Sequence, residues 1–151
     1  MTPLFKKMNL KDQREIAVWN APASFDAELD ALTGVAVHRK IPKSLSFAVA
    51  FVTKQKELDA VSAQLTTAAQ GDAILWFAYP KGTSKTYTCD FNRDTGWGVL
   101  GAAGWEPVRM VAIDADWSAL RFRRVERIKS MTRRSAMAIS PAGKARTAKG
   151  K

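Results

Sequence analysis

Residues 73–80, Ala-Ile-Leu-Trp-Phe-Ala-Tyr-Pro, run apolar without interruption and then open into Lys81-Gly82-Thr83-Ser84-Lys85. A half-buried strand would alternate and an amphipathic helix would repeat every 3.6 residues. This run does neither, and its aromatic and branched side chains favour a strand. A strand with no polar side needs cover on both faces, which a parallel sheet between helices supplies. The proline ends the strand and leaves a small basic loop at its carboxyl end.

The rest of the chain supplies the partners this strand requires. Thr2 and Pro3 mark the start of a short helix over 3–8, with Thr2 as cap and Pro3 where its missing N–H costs nothing. Residues 15–20 read as a first strand, and 25–32 as a short helix with Phe25, Leu29 and Leu32 on one face, ended by Gly34. Strands follow at 35–37 and 47–52. The spacing of Leu58, Val61, Leu65 and Ala68 then predicts a helix over 54–70, capped by Thr53 and closed by Gly71. Beyond the central strand, 86–94 is polar and irregular, and 95–103 is a helix weakened by Gly96, Gly98 and Gly101. Strands at 108–113 and 117–125 flank a turn at Asp114-Ala115-Asp116. In the second of them Leu120 and Phe122 alternate with Arg121 and Arg123, the pattern of a strand with one wet face.

Charge divides the chain. Of 24 Lys and Arg, 11 fall in residues 121–151 and 13 before them, whereas of 14 Asp and Glu only Glu126 falls in that last segment and 13 precede it. Residues 1–130 therefore read as one α/β domain, and 131–151, rich in Ala, Gly, Ser and Lys, as a disordered basic tail. No apolar run is long enough for a signal peptide or a membrane span, so the expected location is the cytoplasm and no membrane partner is expected. A single cysteine, Cys89, excludes an internal disulfide, and with one histidine, His38, no typical zinc centre can be assembled. Neither a metal nor a cofactor is expected.

Parallel strands joined by helices and finished by an antiparallel hairpin resemble the class I methyltransferase version of the Rossmann fold. The expected architecture is three-layered, with a mostly parallel sheet of about six strands. More narrowly, Trp76-Phe77-Ala78-Tyr79-Pro80-Lys81 and Asp114-Ala115-Asp116-Trp117-Ser118 resemble segments of the bacterial domain of unknown function 3052, a likeness that spans residues 10–125 and implies no activity. A working methyltransferase of this type would carry glycines after strand one and an acid after strand two. This chain has Ala21-Pro22-Ala23 and His38-Arg39 there, against binding of a methyl donor. Gly96-Trp97-Gly98-Val99-Leu100-Gly101 has the letters of a dinucleotide fingerprint but follows a polar loop instead of the first strand.

Open parallel sheets bind ligands beyond the carboxyl ends of their strands. That rule gathers Asn20, Lys81, Thr83, Ser84, Asp114, Trp117 and Ser118 into one expected crevice, where a lysine among glycine and hydroxyl residues would accept a small anion. The charged cluster Asp90, Arg93 and Asp94 lies beside it. A nucleophilic relay would have to use His38, across the sheet from Ser118. The two functional readings are a binding module using this crevice and a divergent methyltransferase-like transferase using the same one. A second expected contact is with nucleic acid, through Arg121, Arg123, Arg124, Arg127, Arg133 and Arg134 on a positive strand edge leading into the tail.

Overall fold

The computed structural model describes residues 2–91 and 95–128; the tail from 131, with Arg133 and Arg134, lies outside them, as do Arg93 and Asp94. Six strands form one sheet: β1 (Glu15–Trp19), β2 (Ala36–His38), β3 (Leu45–Phe51), β4 (Ala69–Pro80), β5 (Trp105–Ala112) and β6 (Trp117–Arg124). Their order is β2-β1-β3-β4-β6-β5. The first four are mutually parallel, and β6 runs antiparallel to both β4 and β5. The expected mostly parallel α/β sheet with a terminal hairpin is the observed one.

Every residue of β4 from Ala73 to Pro80 is buried, as its lack of alternation requires. Successive side chains enter opposite cores. Leu75, Phe77 and Tyr79 meet Leu58, Val61 and Leu65 of α3 (Gln55–Ala68). Ile74, Trp76 and Ala78 meet Leu4, Phe5 and Met8 from α1 (Pro3–Lys7) and its C-cap, with Phe25 and Leu29 from the 3₁₀ turn Ala23–Phe25 and α2 (Asp26–Asp30). Trp76 Nε1 donates to the Met8 carbonyl at 2.9 Å, so this wholly buried indole has its polar atom satisfied. Thr2 caps α1 as expected, its hydroxyl accepting from Phe5 N–H.

Several expectations need correcting. Thr53 does not cap α3: Lys54 is the N-cap residue, and carboxylates serve the helix start. Glu57 accepts from the N–H groups of Thr53 and Lys54, and Asp90, 35 residues further on, accepts from Gln55 N–H at 2.6 Å. The helix ends at Ala68 and β4 begins at Ala69; Gly71, at φ +57°, sits where the register of β3 and β4 jumps from Leu45↔Ala69 to Phe47↔Ile74. It serves a bulge, not a helix end. α2 likewise stops at Asp30, so Gly34 (φ +70°) turns the chain before β2. The helix expected over 95–103 shrinks to α4 (Gly98–Ala102). Gly96, at φ +96°, packs so tightly that a Cβ would lie 2.8 Å from Phe91 Cβ, which only glycine allows.

β6 is an interior strand, so its arginines do not line a sheet edge; that edge is β5. Arg124 also differs from its neighbours. It faces the α3 side, stacks over Trp105 at 4.9 Å and donates to the Ala69 and Gly71 carbonyls, bracing the start of β4.

Candidate functional site

The carboxyl ends of the parallel strands differ sharply. Between β1 and β3 the strand order reverses, the usual ligand position in such sheets. There Asn20, in the left-handed region at φ +59°, donates from Nδ2 to the Phe51 carbonyl at 3.3 Å. Beneath it, Phe51 meets Phe25 at 4.9 Å and Trp117 at 5.1 Å in edge-on contacts, and Trp117 meets Tyr87 at 4.8 Å. Phe25 and Phe51 are almost completely buried. On the α1 side, the reversal point is filled by the protein's own side chains.

One strand further on, the carboxyl end of β4 opens into a cavity of about 710 Å³. Lys81, Ser84 and Ser118 line it, together with Tyr79, Cys89, Asp90, Phe91 and Met110. The loop after β4 is held firmly. Lys81 N–H donates to the Asp116 carbonyl at 2.7 Å, Ser84 N–H returns to the Lys81 carbonyl, and the Ser84 hydroxyl donates to Asp116 Oδ1 at 2.9 Å while accepting from Tyr87 N–H. Ser84 therefore shapes the loop with its hydroxyl already engaged. Lys81 makes no ion pair with another described residue.

The seven residues expected to meet here are thus divided. Lys81, Ser84 and Ser118 share the cavity wall, whereas Asn20 bridges β1 and β3, and Thr83 is exposed outside it. Asp114 accepts from Asp116 and Trp117 N–H at 2.8 and 2.9 Å, the geometry that makes the β5–β6 turn. Trp117 and Ser118 are consecutive on β6, so they face opposite sides of the sheet: the indole enters the α1 core and the hydroxyl the cavity. His38 on β2 lies four strand spacings from β6, roughly 19 Å, and pairs with Glu15.

The rest of the wall comes from the polar stretch 87–91 and from β5. Phe91 is carried there by its ring contacts with Tyr79 and Trp97, and Asp90 by its cap on α3. No local pattern marks this path; the hint is two aromatic residues, Tyr87 and Phe91, inside a polar run. A neighbouring cavity of about 480 Å³, bordered by Thr53 and Lys54 at the start of α3, shares Tyr87, Thr88, Cys89 and Asp90 with the first. Burial pushes the Cys89 thiol up, outweighing the hydrogen bond from Phe91 N–H, and Asp90 adds to the rise. A thiol held protonated in this way is a poor nucleophile at neutral pH.

A SAM-dependent methyltransferase from Aquifex aeolicus superposes on 81% of this chain and 88% of its own length with a TM-score of 0.54 at 14% identity. The ribosomal protein L11 methylase of Lactobacillus delbrueckii subsp. bulgaricus does so over 80% and 75%, with a TM-score of 0.50 at 11% identity. The fold is that of the SAM-dependent methyltransferases. Identities this low speak for the fold alone. No protein-family model and no curated protein matches the chain, so the resemblance to domain of unknown function 3052 has no family-model support.

Proposed function

We propose that the chain is a cytoplasmic small-molecule binding domain on a methyltransferase-type fold, and that the cavity at the end of β4 takes a small anionic ligand through Lys81. The observation that carries this reading is the pairing of a cavity of about 710 Å³ with a lysine that has no ionic partner among the described residues. That volume suits a metabolite-sized ligand. The cavity's other side is apolar, with Tyr79, Phe91 and Met110, so a ligand with an anionic head and an unsaturated or aliphatic body fits its chemistry. The Ser118 hydroxyl, near-buried at the cavity wall, offers a further hydrogen bond.

The second reading is a divergent methyltransferase using the same cavity, and the fold likeness favours it. The filled reversal point after β1 weighs against a methyl donor in the usual position. Among the described residues no helix is long and apolar enough to cross a membrane.

Thermal-shift titration of the full chain with S-adenosylmethionine, nucleotides, and phosphorylated and carboxylated metabolites separates the two. A ligand at 100 times its Kd adds about 2.7 kcal/mol, several degrees for a domain of this size. A metabolite shift that Lys81→Ala weakens about tenfold in Kd supports the binding module, since a charge-assisted bond contributes about 1.5–3 kcal/mol. A saturable shift by S-adenosylmethionine supports the transferase, and no shift from any ligand contradicts both.

A further inference from the structure

On β6, Arg121 and Arg123 alternate with Leu120, Phe122 and Arg124, and so share the sheet face that carries Trp117 and Ala119. Arg109 of β5 lies directly across from Arg121 in the antiparallel ladder. Like charges so placed repel. Among the described residues only Arg123 of the three hydrogen-bonds a carboxylate: it makes two hydrogen bonds to Asp72, one of them 2.8 Å. Among the described residues, Arg109 and Arg121 form no ion pair. Glu106, cross-strand from Arg123, is wholly buried.

Arg121 is the costly member. Its Nε is buried without a hydrogen-bond partner. Burial, then the nearby Arg123 and Arg109 cations, lower its pKa against the opposing pull of Asp72. A half-buried guanidinium facing two others costs the fold stability, because an uncharged residue would fill the place without desolvating a charge.

We infer that Arg109, Arg121 and Arg123 form a docking face for the phosphate backbone of a nucleic acid. A phosphate between Arg109 and Arg121 replaces their repulsion with two charge-assisted contacts, and guanidinium forks suit that geometry. The two-residue step from Arg121 to Arg123 spans about 6.6 Å along the strand, similar to the spacing of successive phosphates on an extended strand. Arg127, close enough to act on Asp72, extends the positive field of the face, and the sequence after it adds further basic residues. Trp76, cross-strand from Arg121, is wholly buried, so a base lying over these arginines has no platform beside them on which to stack. Binding through phosphates alone reads no sequence. A lipid surface fits less well because the apolar residues beside these arginines, Val111, Ala119 and Trp117, are buried.

The test is fluorescence anisotropy of the full chain with a labelled mixed-sequence DNA duplex between about 50 and 200 mM salt. Arg109→Gln with Arg121→Gln is expected to weaken binding about tenfold and to lower the log–log salt slope by about 1.8, two phosphate contacts' worth. Lys40→Gln with Lys43→Gln removes the same charge from the exposed β2–β3 loop and is expected to change affinity by no more than about twofold. Arg109→Gln alone, at an exposed position, keeps the question decidable if the double variant unfolds; it should lower the slope by about 0.9. Equal weakening by the arginine and lysine variants would overturn the assignment and leave only net charge at work. Binding to phosphatidylserine vesicles without binding to the duplex would also overturn it.

Discussion

The carboxyl ends of β1 and β3 and the carboxyl end of β4 belong to one sheet, yet the first is packed with aromatic rings on its α1 side and the second opens into the larger cavity. At the first, Asn20 bridges to the Phe51 carbonyl over a packed row of Phe25, Phe51 and Trp117. At the second, Tyr79, Lys81 and Ser118 face a cavity of about 710 Å³. A fold places its strand ends, but side chains decide which of those ends receives a ligand. Here the larger opening has moved off the reversal point, onto the side where the antiparallel hairpin meets the parallel strands.

Breaking the filled end should be the more damaging change. Phe51→Ala removes a ring 1% exposed and in contact with two others, and should cost about 3–5 kcal/mol in chemical denaturation. Met110→Ala, at the rim of the open end and 46% exposed, should cost less than about 1 kcal/mol. Equal losses would mean that the two ends are packed alike. Asp90→Ala tests the segment that borders both cavities. Losing its bond to Gln55 N–H should lower stability by about 1 kcal/mol, and Asp90→Asn should recover most of that, as a cap would.

The smallest effect lies far from either end. Asp72 has its pKa lowered from 3.8, chiefly by the hydrogen bond from Arg123 against the opposing effect of burial, with Coulomb attraction adding to it. A carboxylate with a depressed folded pKa adds stability above its unfolded value and loses it as pH falls through the folded one. Melting curves should therefore show Asp72→Asn less stable than the parent at pH 7, by no more than about 1 kcal/mol for so exposed a pair, with the gap closing below about pH 4. A gap that persists at low pH would assign the loss to packing.

The fold was legible where its signals were local. Eight apolar residues without alternation marked β4, the spacing of Leu58, Val61 and Leu65 marked α3, and Thr2-Pro3 marked the start of α1. Signals that depend on distant partners were not legible. Thr53 looked like a cap because nothing in the sequence announces that Asp90 will arrive at Gln55, and Gly71 looked like a helix end because a bulge and a C-cap both ask for positive φ. The basic strand looked like an edge because alternation records a wet face and says nothing of strand order. The strand-end rule found Lys81 and Ser118, but the cavity's other wall is positioned by ring contacts of Phe91 with Tyr79 and Trp97 across the fold. Trp117 was grouped with Ser118 although adjacent strand residues point to opposite sides.

The most direct test of the displaced site is a backbone-amide NMR titration of the full chain with the ligand that gives the largest thermal shift, and separately with S-adenosylmethionine. The account predicts saturable shifts at Lys81, Ser84, Cys89 and Ser118, with Asn20, Ala21 and Val52 unmoved. Saturable shifts at Asn20 and Val52, with none at Lys81 or Ser118, would return the site to the reversal point and contradict it.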